Sequence, residues 1–186
     1  MPFELTAGRA VVAPIAVFAW QVIGASRAFR QVEGERGSPL AALITVGFVA
    51  LVVNNELEPV NAGHFGIACV GLAAALMLFE WARRTVRDRY FSWVFSHDTP
   101  SFLCTDGPFA YVRNPFYTSY LLTMGAVVVM LPGVFRGAVF IGMVAYFTSA
   151  AVHEERKFER SPLAADYARY KQRTGRFLPT ISAARR

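Results

Sequence analysis

Thr105-Asp-Gly-Pro-Phe-Ala-Tyr-Val-Arg-Asn-Pro-Phe-Tyr117 lies between two apolar segments too long to be ordinary core helices. Gly107-Pro108 reads as a turn, and Asn114-Pro115 as a helix start, with Asn as N-cap and Pro at the first helical position. Between and just beyond them stand Phe109, Tyr111, Arg113 and Tyr117, aromatic and cationic groups at the mouth of a membrane helix. An Arg at that depth is costly unless it meets headgroups, a partner or a ligand. The stretch therefore predicts a polar site held at a membrane surface.

The composition agrees. The 186 residues are 54% apolar yet carry a formal charge of +6, which is consistent only if apolar residues are gathered into spans and basic ones into loops. Working outward, the first apolar run is 10–25, long enough to span only if it starts near Leu5. A basic connection, 26–38, precedes a second run from Leu40 to about Val53, opened by Ser38-Pro39. An acidic turn, 54–59, leads to a third span capped by Asn61 and ending at Arg83-Arg84. The polar section 83–114 holds the opening stretch. A fourth span is expected over 115–131, a Pro132-Gly133 turn, and a fifth over 134–152, followed by Glu154-Glu155. Ser161-Pro162 and Gly175 bracket a last helix, 162–174, on which Leu163, Tyr167 and Tyr170 share a face. Such a helix can lie on the membrane interface or fold back over 83–114.

The expected fold is all-α: a polytopic membrane bundle of about five transmembrane helices with a cytoplasmic C-terminal amphipathic helix. It divides into spans one and two (1–61) and a core of spans three to five with the 83–114 loop and the last helix (62–186). Of 19 Lys and Arg, 17 fall in the 26–38, 83–114 and post-153 sections, so the N-terminus is expected outside and the tail cytoplasmic. No cleavable signal peptide is expected, because the first run has an acidic lead, Glu4, and no cleavage site. Cys69 and Cys104 form no disulfide framework, His64 reads as structural, and His97 and His153 have no metal-binding spacing, so no metal is expected. The basic charge reads as membrane topology rather than nucleic-acid binding.

Three features converge at the expected cytoplasmic face: Gly107–Tyr117, Glu154-Glu155, and Tyr167…Tyr170…Arg176-Phe-Leu-Pro179. In this order they resemble the isoprenylcysteine carboxyl methyltransferase family of integral-membrane enzymes, over about residues 62–179. That family carries Gly-Pro-Tyr-x-x-Val-Arg-His-Pro-x-Tyr, where this chain has Gly107-Pro-Phe-Ala-Tyr-Val-Arg-Asn-Pro-Phe-Tyr117. The resemblance implies S-adenosylmethionine as cofactor and methyl transfer to a lipophilic acceptor, such as an isoprenylcysteine carboxylate or another small lipophilic molecule. It implies cofactor contacts from Leu103, Cys104, Gly107, Phe109, Tyr111, Asn114, Pro115, Tyr117, Glu154, Glu155, Tyr167, Tyr170 and Arg176. Catalytic roles fall to Glu154, Tyr117 and Arg113. Aromatic faces at Phe109 and Tyr117 and the Glu154 carboxylate suit a sulfonium, and Arg113 or Arg176 suits the cofactor's carboxylate. Trp93, Phe91 and Phe95 would line a lateral lipid entry.

This chain departs from the pattern twice. Asn114 stands for the family's His, and Thr148-Ser-Ala-Ala151 lacks the Arg that precedes the Glu pair. Duller accounts stand beside each feature. Asn-Pro starts a helix whatever it binds, Tyr111 and Tyr117 suit an interfacial belt, and Arg83, Arg84, Arg87 and Arg89 suit headgroups. Tyr167 and Tyr170 suit packing, and Glu154-Glu155 a solvated helix end. Rival functions are an NADPH-dependent membrane reductase of sterol-reductase type and a non-catalytic lipid-binding membrane protein.

Overall fold

The structure, a computed structural model, describes residues 6–30, 39–52, 59–86, 91–92, 100 and 102–180. It is helical, and three of its helices are long and apolar enough to cross a membrane: Ala7–Ala25, Ala62–Thr85 and Val134–Glu159. In chain order the elements are α1 (Ala7–Ala10), α2 (Val12–Ala28), β1 (Phe29–Arg30), α3 (Pro39–Val52), α4 (Ala62–Thr85), β2 (Phe91–Ser92), a 3-10 turn (Gly107–Ala110), α5 (Pro115–Met130), α6 (Val134–Glu159) and α7 (Ala164–Arg173). The two short strands pair in parallel, Phe29 with Phe91 and Arg30 with Ser92, tying the end of α2 to the segment after α4.

Two of the five expected spans are short in the structure as in the sequence, Pro39–Val52 against 40–53 and Pro115–Met130 against 115–131. The apolar helices Ala42–Val52 and Pro115–Met130 stay under 18 residues. At about 1.5 Å per residue the 16 residues of α5 reach about 24 Å, less than the roughly 30 Å hydrocarbon core. That shortness accompanies a central position: α5 packs on α2, α3, α4 and α6. Its Phe116, Tyr117, Tyr120, Met124 and Val127 are all buried. The long helices instead turn apolar side chains outward, with Val70 71% and Ile141 70% exposed. A surface that apolar is stable against lipid, not water.

The core has two centres. Around α5, Phe79, Phe116, Tyr120, Phe147 and the stacked pair Phe18–Phe48 (centroids 4.0 Å apart) interlock. At the end of α5 away from its Pro115, Ala7, Ala10, Ala68, Leu72, Ala126 and Met130 form a smaller cluster of short side chains. Close approach is built in at Gly24, where a Cβ would come 2.5 Å from Phe79 Cε1. Within this apolar interior, Gln21 is fully buried and still satisfied. Its Nε2 donates to Ser119 O (3.3 Å) and its Oε1 accepts from Thr123 Oγ1 (3.1 Å). One such buried polar contact fixes the rotation of α2 against α5, because any other register would strand the amide.

Local readings of the sequence fare unevenly. Asn61 caps α4 as expected, its Oδ1 accepting from Gly63 N (2.9 Å) and His64 N (3.2 Å). Asn114 stands at the N-cap position of α5 but its side chain makes no capping bond there; it donates instead to Arg176 O (3.3 Å). The last helix spans Ala164–Arg173 rather than 162–174, since Ser161 Oγ accepts from Leu163 N (3.1 Å) and caps the turn before it. Gly175 is not a left-handed stop. Its backbone bridges Val112 in parallel, and the Leu178 carbonyl lies where a Cβ would be. His64 and His153 are exposed. Ser38, the acidic turn before Pro59, Trp93, Phe95, His97 and the side chain of Phe91 lie outside the described residues.

Candidate functional site

The Thr105–Tyr117 stretch folds as a turn, a bend and a helix start. Gly107 adopts φ +56°, a left-handed conformation that L side chains rarely take, and a Cβ there would also strike the Thr85 side chain. The tight turn lays Pro108 and Phe109 into the core, Phe109 edge-on to Phe116 at 6.3 Å. Tyr111 stays exposed and tilts over Trp81, their rings 5.9 Å apart.

The chain's end returns to this stretch. Arg113 N donates to Gly175 O (2.8 Å) and Asn114 N to Arg176 O (3.2 Å). Thr118 Oγ1 donates to Phe177 O (3.1 Å). These bonds, with the Asn114 amide, strap residues 175–177 across the start of α5. The last helix folds back as one of the two sequence readings has it. Tyr167 stacks on Phe158 at 4.9 Å, and Tyr170 OH donates to Phe109 O at 2.7 Å. Burial raises the pKa of both tyrosines well above the usual phenol value, so their hydroxyls stay protonated.

Consecutive positions on a helix point about 100° apart, and the two glutamates at the end of α6 have different partners. Glu155 is 4% exposed. Arg176 grips it in a fork, Nε to Oε1 at 2.9 Å and Nη2 to Oε2 at 3.0 Å. Arg113 adds Nε and Nη2 to Oε1 at 3.2 and 3.1 Å, and Lys171 Nζ stands 3.7 Å from Oε2. The Glu155 carboxylate raises the Arg176 pKa through that hydrogen bond. Glu154, half-buried, accepts one hydrogen bond, from Tyr117 OH at 3.0 Å. Its other oxygen accepts none among the described residues. Tyr117 is itself fixed against Phe147, ring centroids 5.2 Å apart.

Of the residues expected at the site, Gly107, Phe109, Asn114, Pro115, Tyr117, Glu154, Glu155, Tyr167, Tyr170 and Arg176 gather at one end of the bundle. Cys104 is buried and Leu103 half-buried in the segment leading into it. Arg113, expected to meet a reacting group or the cofactor, is closed on Glu155 and donates through Nη1 to the carbonyls of Thr174 and Lys171. Phe109 offers its carbonyl to Tyr170 while its ring fills the core. Three participants were not read from the sequence: Trp81 under Tyr111, Lys171 beside Glu155, and Thr118 on the strap. Thr118 carried a signal, since it lies four residues after Asn114 and its Oγ1 returns to that carbonyl at 3.0 Å. Among the described residues no group of His, Cys, Asp and Glu is arranged to hold a metal. Comparison of the chain with models of protein families, with curated proteins and with solved structures returned no match.

Proposed function

We propose that this chain is an integral-membrane methyltransferase that uses S-adenosylmethionine and serves a lipophilic acceptor. The observation that carries the reading is the Glu154–Tyr117 pair: a carboxylate with one oxygen left over among the described residues, beside aromatic rings at the cation-rich end of a helical bundle. In this reading α3 and α5 complete five spans, with the N-terminus outside and the site on the cytoplasmic face where the cations concentrate.

The donor set fits the cofactor at both charged ends. Glu154 and the face of Tyr117 favour a positive sulfur by Coulomb and cation–π attraction. Arg176, a third exposed, spends Nε and Nη2 on Glu155 and retains Nη1 for a carboxylate. When bound, the cofactor supplies an electrophilic methyl group on that sulfur. Tyr120, Tyr117 and Phe147 wall the site against water from the core side. Arg113 is a positioning residue: by holding Glu155 and the Thr174 carbonyl it fixes where the strap, and Arg176 with it, can stand. Positioning of this kind supplies much of the rate of an in-line displacement.

The proposal is tested by incubating purified protein in lipid with methyl-labelled S-adenosylmethionine, prenylated thiols and membrane lipid extract. Label in the organic phase, lost in Glu154→Ala, is the expected result. No label with any acceptor in protein that also fails to bind the cofactor would overturn it. Oxidation of NADPH by the same preparation would favour the reductase.

A further inference from the structure

Every described cation in an ion pair with one of the paired glutamates closes on Glu155, while Lys157 attracts the Glu154 carboxylate through space. Arg113 and Arg176 make hydrogen-bonded pairs with it, and Lys171 stands at 3.7 Å before turning to Glu159 at 2.9 Å. Glu154, one residue earlier, forms no ion pair among the described residues and keeps a single neutral donor, Tyr117 OH. A carboxylate beside buried aromatic rings, attracted by Lys157 but closed in no ion pair among the described residues, is a position that favours an incoming positive charge.

Resting on the methyltransferase reading, we infer that Glu154 senses the charge on the cofactor's sulfur and so separates cofactor from spent product. S-adenosylmethionine carries a positive sulfonium; S-adenosylhomocysteine, otherwise alike, carries a neutral thioether. Glu154 and the Tyr117 face attract the first and have no charge to attract in the second. The carboxylate end of both ligands is the same, so Arg176 contributes equally to each. Loss of charge on sulfur then weakens the hold on the product at the moment it forms, and release is favoured without any movement of the protein. Glu155 serves this by keeping Arg113, Arg176 and Lys171 from neutralising Glu154.

The test is calorimetric binding, with no turnover required, to wild-type protein, Glu154→Gln and Tyr117→Phe. Three ligands serve: S-adenosylmethionine, S-adenosylhomocysteine and sinefungin, which carries an amine in place of the sulfonium methyl. Wild-type protein is expected to bind the two cationic ligands more tightly than the thioether. Glu154→Gln should weaken both cationic ligands about tenfold or more and leave the thioether within about twofold, since a charged contact is worth about a factor of ten or above. Tyr117→Phe should shift all cationic affinities in the same direction and less. Equal affinities in wild-type protein, or an equal loss for all three ligands in Glu154→Gln, would overturn the charge-sensing role while leaving the cofactor reading intact. No binding of any ligand to wild-type protein would remove the cofactor reading and this inference together.

Discussion

Replacing Glu155 by Leu takes the shared partner from Arg113, Arg176 and Lys171, and its cost can be apportioned. Lys171 is 42% exposed and sits 3.7 Å away, so its loss of a partner costs at most about 1 kcal/mol. Arg176 loses two short bonds but is 32% exposed, and water replaces much of what it loses. Arg113 is different. Its side chain is 9% exposed, and without Glu155 it keeps only backbone carbonyls as partners. Stranding one member of a buried pair costs about 3–5 kcal/mol. Denaturant titration of the protein in detergent should therefore show Glu155→Leu destabilised by about that much, with faster tryptic cleavage at Arg173 and Arg176 as the strap loosens. The double variant Arg113→Met, Glu155→Leu should recover most of the loss, because an apolar pair of similar volume does not carry a stranded charge. A cost below about 1 kcal/mol for Glu155→Leu, or no recovery in the double variant, would refute the reasoning. Glu159→Gln is the control: its pair with Lys171 is about half exposed on both sides and should be worth at most about 1 kcal/mol.

Other expectations follow from single contacts. Gly24→Val drives methyl groups into Phe79 and should cost about 1–3 kcal/mol in the same titration. Gly107→Ala must hold φ +56° and displace the Thr85 side chain, so it should destabilise by about 1–2 kcal/mol and impair cofactor binding; unchanged stability would contradict the assigned turn. Asn61→Ala removes the cap of α4 at the far end of the bundle and should cost about 1 kcal/mol with ligand affinity untouched. Burial raises the folded pKa values of Tyr167 and Tyr170 above the ordinary phenol value of about 10. Their contribution is complete below the unfolded pKa and is lost as pH rises past it, so alkali above about pH 10 should loosen the C-terminal helix. Circular dichroism against pH should show that onset, and Tyr170→Phe should make it shallower.

The sequence carried the helical class, the places of most helices and the gathering of three distant segments at one end, because apolar run lengths and cap-and-proline starts are local signals. It carried Asn61 for the same reason: a cap is settled within three residues. What it did not carry is set by tertiary contacts. Asn114 has the right residue type and place to cap α5, yet a returning strap 62 residues later takes its amide. Gly175 reads as a helix stop, yet it is small because Leu178 doubles back on it. Arg113 reads as a ligand cation because an Arg near apolar helices needs a partner; its partner is a carboxylate 42 residues on, and no local pattern names it. The lengths of α3 and α5 were legible, but the burial of α5 among its neighbours was not, since a run of apolar residues looks alike whether lipid or neighbouring helices cover it.

The central claim is that this end of the bundle holds S-adenosylmethionine, and calorimetric titration of the purified protein tests it most directly. Binding of S-adenosylmethionine at micromolar concentration, with none for NADPH, is the result the account predicts. Binding of NADPH in its place, or silence from S-adenosylmethionine in protein shown to be folded, would contradict it.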